Sequence, residues 1–363
     1  MFDLGAVPCV AHDLFEGWVN YDLFMIFKRI VKSGIVSRCY LQGRINSLFK
    51  QLKISTKIEL NFTRKACNIK AKACDVWHLV QIIPFIFLKK DINYSQPEII
   101  MLLLIKKVTD IITSPIQSTA QIKILETDLE EYIELRTTHF KEALRPKHHY
   151  TLHYPRYILW LGPIISYCTL FCERKHCFFK RCIRTTINFK NVVKFSSEQH
   201  QYYQGLLNTQ TERLKNNFLL EKYVESISSL PKSSQTALHE FCLDNDQNVF
   251  VEQGTFMGYT YSAGDYLFLR HDEYGEWFYV VKIKLLVLNP KTESVTVFGN
   301  ELIAVNIFER GIIEISESNE HPEKLICLSI EDFVDRAPLL PFVESNKVYL
   351  FIKHSIPPTT ESC

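Results

Sequence analysis

A single carboxylate stands at the head of a long cationic stretch. Glu173 is followed, from Arg174 to Lys194, by Arg174, Lys175, Lys180, Arg181, Arg184, Lys190 and Lys194 and by no acid, with Phe178, Phe179 and Phe189 among them. Cations hold phosphates and carboxylates hold divalent metals, so the stretch suits binding of a nucleic-acid backbone or metal-assisted chemistry on it. Lys175, Lys180, Arg181 and Arg184 recur at helical spacing, and Lys190 and Lys194 lie four apart. Such rows can track phosphates while the aromatics pack or stack on bases. The plain alternative is a solvated charged face over a Phe178–Phe179 core.

Two pairs of metal-ligating residue types lie outside that stretch: Cys9-x2-His12 near the start and His149-x3-His153. Thiolate and imidazole at these gaps reach one side of a turn or helix, which is how zinc is chelated. His148 and His176 are alternatives for one ligand. A buried thiol and ordinary core or surface histidines are the competing reading. Cys168, Cys172, Cys177 and Cys182 do not converge on helical spacing and read as core or incidental thiols.

The words KHHYTLHYP and LGPIISYCTLFCERKHCFFK resemble the C-terminal catalytic region of DDE transposases of the CACTA (En/Spm) type found in animal genomes. PCVAHDLFEGWVNYDL and FTRKACNIKAKACDVWHLVQIIPFI resemble two further blocks of that family, in family order, so that the likeness covers roughly residues 1 to 205. It implies an RNase H-like sheet with three carboxylates holding two Mg²⁺ ions, a large helical insertion, and cleavage and transfer of DNA strands. Glu173 matches the third acid, and the helical stretch from about residue 12 to 145 matches the insertion. Cys9, His12, His149 and His153 match C-x2-H and H-x3-H elements that would bind Zn²⁺ and pin the insertion. Arg64, Lys65, Lys70 and Lys72 lie in a matched block and would add phosphate contacts.

No match to the two catalytic aspartates lies in this sequence, and neither Asp3 nor Asp13 has their context. The resemblance therefore implies a transposon-derived, catalytically incomplete remnant that binds DNA, such as transposon ends, through Lys175–Lys194. It places the protein in the nucleus or cytoplasm, with a homo-oligomer as one candidate form. Two alternatives stand beside it. One is an active transposase whose N-terminus lies upstream. The other is a protein-interaction module acting through a C-terminal β-domain.

Composition sets the outer bounds. The chain has 363 residues, which suggests two domains. Its apolar fraction of 47% is too high for disorder. A net charge of +2 means that any nucleic-acid role rests on a local face. Eleven scattered cysteines without a signal-like N-terminus predict thiols rather than disulfides, in a protein that is not secreted. No run is long and apolar enough for a membrane span.

These residues must be positioned by an α+β fold, mostly helical over 1–235 and β-rich over 245–355. Apolar spacing predicts helices over 12–33, ended by Gly34, over 36–52, over 73–89 with a bend at Pro84, over 96–113, over 122–144 with a stop at Pro146, over 155–165, from Glu173 through Phe179, and over 196–220. Beyond Pro231 the period changes. Tyr266–Leu269, Trp277–Ile283, Val295–Phe298 and Val348–Ile352 read as strands, parted by Gly264-Asp265, Tyr274-Gly275 and Asn289-Pro290. They predict a small barrel or sandwich. Tyr259, Tyr261, Tyr266, Trp277 and Tyr279 could form an aromatic binding face there, although aromatics in a small β-domain usually serve its core.

Overall fold

The structure, a computed structural model, describes residues 8–63, 68–186, 190–214, 218–224, 228, 230–241, 243, 248–256, 258–272, 276–289, 291–292, 294–307, 310–316 and 324–356, with the side chains of 171–175 and 207–220 outside the description. The fold is α+β, about 49% helix and 24% strand. The chain forms two compact units. One comprises 1–172, 307–312 and 351–363, and the other 173–306 and 313–350.

The first unit is helical. A π-helix, Ala11–Trp18, runs directly into α1 (Val19–Lys32). Gly17 breaks the helical geometry at φ −101° and ψ −124°. A Cβ on Gly17 would come within 2.7 Å of Lys147 Cδ and 3.0 Å of the His12 carbonyl oxygen, so any larger residue there makes the Lys147 side chain shift. Gly34 has φ +79°, the left-handed conformation that ends α1. α2 (Arg38–Gln51) starts at Ser37, whose side chain accepts from the Tyr40 N–H. The apolar run beyond Lys72 divides into α3 (Ala73–Gln81) and α4 (Ile83–Ile86) at Pro84, as expected of a residue with no N–H. Pro97 opens α5 (Pro97–Ile112), and a Ser118/Gln121 capping box opens α6 (Thr119–His139). Pro146 does not end α6, which has already closed at His139. It takes the first turn of α7 (Pro146–Thr151), followed by α8 (Tyr154–Leu161).

The centre of this unit is polar. Asp22 of α1 is fully buried. It accepts hydrogen bonds from the Tyr132 hydroxyl and from Arg136 Nε at 3.3 Å, both on α6, and pairs with His148 Nε2 of α7 at 3.1 Å. His148 Nδ1 lies 2.9 Å from the Arg145 nitrogen and 3.2 Å from the Arg145 carbonyl oxygen; in the tautomer in which Nδ1 accepts from the N–H, Nε2 donates to Asp22. Arg136 Nη1 also donates to the Glu142 carbonyl at 2.8 Å. The Trp18 ring lies 4.8 Å from Tyr132 and 5.7 Å from His148, covering the network with apolar surface. Desolvation, the Asp22 charge and their hydrogen bond push the Tyr132 phenol well up, so it remains a donor.

The second unit combines three helices with a large antiparallel sheet. α9 (Thr169–Thr186) begins in the first unit and continues here, followed by α10 (Val192–Leu214). The expected helix to Leu220 gives way earlier, because β1 (Phe218–Tyr223) pairs with β2 (Val249–Phe256). α11 (Lys232–Glu240) lies between them in sequence. The other strands are β3 (Tyr259–Ser262), β4 (Tyr266–His271), β5 (Trp277–Asn289), β6 (Ser294–Ile307), β7 (Ile312–Ile315), β8 (Lys324–Ser329), β9 (Asp335–Glu344) and β10 (Lys347–Phe351). Strand order is β1-β2-β5-β4-β9-β10-β7-β6-β8, with β3 on β2, and β5 also pairs with β6. The path from β5 through β4, β9, β10, β7 and β6 thus returns to its start.

A bulge explains how β5 serves two cores. Val281 and Ile283 share one apolar cluster with Leu286 and Leu288, while Leu285 and Val287 belong to another with Phe250, Phe298 and Leu238. The inward positions change from odd to even across the register shift between Ile283 and Leu285. Opposite it lies Gly299, where a Cβ would press on the Lys282 carbonyl oxygen. Glycine there continues the strand past Phe298, the last residue of the expected β-run. The Tyr274-Gly275 and Pro290 turn residues lie outside the described residues.

Removing Asp22 strands a buried guanidinium. Asp22→Ala is expected to lower unfolding free energy by about 3–5 kcal/mol, read by urea denaturation of the intact chain. A loss below about 1 kcal/mol would show that the network does not hold the helices together.

Candidate functional site

The first candidate is built at the start of the π-helix. Cys9 is half-buried just before it, and the Cys9 Sγ lies 3.2 Å from His12 Nδ1 and 2.9 Å from Thr169 Oγ1. Thr169 Oγ1 is itself 3.2 Å from His12 Nδ1, closing a triangle. His12 Nε2 is 3.8 Å from Glu16 Oε2 across one turn. Asp13 accepts from the Cys9 N–H at 3.2 Å and from the Tyr154 hydroxyl at 3.1 Å. Asp13 therefore acts as a brace between the chain start and α8. Burial pushes the Cys9 thiol up, but hydrogen bonds from Thr169 and His12 outweigh it and leave the thiol lowered to about 7.

The second pair lies on α7 and its C-terminal edge. His149 Nε2 and His153 Nε2 face each other at 3.2 Å, with the rings perpendicular and 4.8 Å apart. The Lys147 ammonium donates to the His12 carbonyl, so α7 is fastened to the π-helix that carries the first pair. A tetrahedral zinc with Zn–S about 2.3 Å and Zn–N about 2.0–2.1 Å holds S and N about 3.5 Å apart and two N about 3.3 Å apart. Each pair has nearly that separation. Among the described residues, however, no three His, Cys, Asp or Glu side chains converge on one metal position. The donor types and pair spacings fit zinc two by two, and a four-ligand site requires the two pairs to close on each other.

The remaining sequence candidates are spread more widely. His148 is not an alternative ligand at the surface, because it is buried against Asp22. His176 is exposed on α9. Cys168 is buried, Cys182 half-buried and Cys177 exposed, in keeping with separate thiols. Glu173 and Lys175 lie on α9, with their side chains, like that of Cys172, outside the described residues. Arg64, Lys65 and Phe189 are also outside the described residues, whereas Lys70 and Lys72 are exposed. In the β-rich part, Tyr261 and Tyr266 are core residues. Tyr261 donates to the Arg336 carbonyl at 2.9 Å. Trp277 is partly exposed, and Tyr279 lies beneath the Arg270 guanidinium. The five aromatics do not form one exposed face.

The basic row is presented to solvent. Lys180, Arg181 and Arg184 are exposed on one side of α9, and Lys190 and Lys194 are exposed before and within α10. Lys194 pairs with Glu198 at 3.8 Å, an exposed contact of little strength. Phe178 packs 5.2 Å from Tyr203, and Phe179 packs 5.7 Å from His200, which joins the two helices.

No family model, curated protein or solved structure matches this chain. Among the described residues, no helix is long and apolar enough to cross a membrane.

Chelator-treated protein is expected to alkylate at Cys9 with a midpoint near pH 7, the value about 7 to which its thiol is lowered. His12→Ala should move that midpoint upward, because a hydrogen bond that stabilises the thiolate is removed. Peptide mapping after iodoacetamide pulses separates Cys9 from the exposed Cys39, Cys74 and Cys177. An unchanged midpoint would mean that His12 does not lower the Cys9 pKa.

Proposed function

We propose that this is a transposon-derived protein that binds DNA through α9 and the start of α10. The observation that carries this reading is the exposed row Lys180, Arg181, Arg184 and Lys190, which runs over a stretch without an acidic residue. Positive charge gathered on one face of a nearly neutral chain suits a polyanion. The resemblance to CACTA-type transposases adds the substrate class, DNA such as transposon ends. It also makes the helices of the first unit the insertion of an RNase H-like domain. The strand circuit closed by β5 and β6 supports reading the β-rich part as a small barrel.

Catalysis is not part of the proposal. Mg²⁺ takes oxygen ligands in octahedral geometry, and the resemblance matches only one of the three carboxylates that would hold it. Glu173 is the position at which the family reading would place one ligand. Zn²⁺ would be held by Cys9, His12, His149 and His153, and its part would be structural, joining the π-helix to α7.

Duplex binding should weaken steeply with salt and need no Mg²⁺. Lys180→Glu/Arg181→Glu/Arg184→Glu is expected to reduce affinity on the order of 100-fold in fluorescence anisotropy at moderate salt. It should also flatten the salt slope by about one for each phosphate no longer neutralised. Unchanged affinity in the triple variant would remove this face from the interface.

For the metal reading, Co²⁺ added to the apoprotein should give the absorption of a tetrahedral thiolate site that His149→Ala/His153→Ala abolishes. A spectrum unaltered in that variant would separate the histidines from any site at Cys9.

A further inference from the structure

The two helices that carry the basic row also enclose a groove. It is open to solvent, has a volume of about 440 Å³ and is lined by Phe179 of α9 and by Val192, Val193, Ser196, Ser197, His200 and Gln201 of α10. Its walls combine three features. Phe179 and His200 offer aromatic faces, tilted 39° and 5.7 Å apart. Val193 lies on the rim with 79% of its surface exposed, an apolar side chain left open to solvent. Ser196 Oγ is buried and has no hydrogen-bond partner among the described residues, so a polar group is held in the wall without a mate.

Cations lie close to this groove in sequence: Lys180 follows Phe179 on α9, and Lys190 and Lys194 bracket Val192 and Val193 at the start of α10, all three exposed and Lys194 paired with Glu198. A purely apolar occupant, such as a hydrophobic helix, would leave those cations and the Ser196 hydroxyl unused. A duplex can meet the cations but keeps its bases stacked inside. An unpaired nucleotide answers all of these features. Its base has a π-face to lay against the Phe179–His200 pair and an edge with donors and acceptors for Ser196, Ser197 and Gln201, and its phosphates carry charge for nearby lysines.

We infer that the α9–α10 groove is a binding site for an unpaired base of single-stranded DNA. This rests on the DNA-binding reading above and sharpens it: the same face would prefer a single strand, or a frayed end, to an intact duplex.

The test uses the full chain and two probes. One is an oligothymidylate of about a dozen nucleotides carrying a central 2-aminopurine, and the other is the same sequence as a blunt duplex. Stacking in the groove should quench the 2-aminopurine of the single strand on binding. Phe179→Ala should weaken single-strand binding roughly tenfold, the scale of one base–aromatic stack, and abolish the quenching, with duplex affinity little changed. Because Phe179 also packs on His200, Ser197→Leu supplies a second variant at an exposed position, where a branched side chain narrows the groove without disturbing the helix pair. It should act in the same direction. Wild-type binding to both probes with neither variant altering single-strand affinity or quenching would overturn the groove assignment and leave the basic face standing. Wild-type failure to bind either probe would overturn both.

Discussion

One buried carboxylate organises the helical unit. Asp22 cannot be left charged and unpaired in an apolar core, and it draws in a hydroxyl from α6, a guanidinium from α6 and an imidazole from α7. Three helices distant in sequence are thereby set in one register. Burying these groups is favourable only when the set is nearly complete, so the network selects one arrangement of the helices over looser ones.

The candidate metal pairs inherit their geometry from that constraint. His148 and His149 are neighbours in a helix of six residues, yet one is buried on Asp22 and the other faces His153 at the surface. Fixing the first fixes the direction of the second. The Gly17 kink and the Lys147 bond to the His12 carbonyl then hold α7 against the π-helix. Cys9 and His12 come into contact where the π-helix begins, a geometry often found where backbone regularity is given up for a site. In the other unit a similar division of labour shapes the groove. Phe178 and Phe179 secure α9 to α10 through Tyr203 and His200, and the cations beside them are left in water.

Much of this was readable residue by residue. The 3.6-residue spacing located α1 to α5 closely and overran the C-terminal ends of α6 and α8, and Pro84, Pro97 and Gly34 behaved as local chemistry requires. Alternating apolar residues marked β4, β5, β6 and β10. The failures are equally specific. Pro146 opens a helix rather than closing one, because proline is tolerated wherever the backbone N–H has no helical partner. Gly299 continues a strand, because a bulge faces it. The aromatic residues of the β-rich part were not separable into core and surface by type. Tyr261 became core only through pairing of β3 with β2 and a hydroxyl bond to Arg336.

By itself the sequence determined most of the local elements and the concentration of positive charge on one helix, since each depends on residues only a few places apart. Tertiary structure alone decided which histidine of the Lys147–His153 segment is buried, which tyrosines are core, and that Ser196 and Phe179 line one groove. Those outcomes depend on groups tens to more than a hundred residues apart, such as Asp22 and His148, whose pairing leaves no periodic trace in either segment.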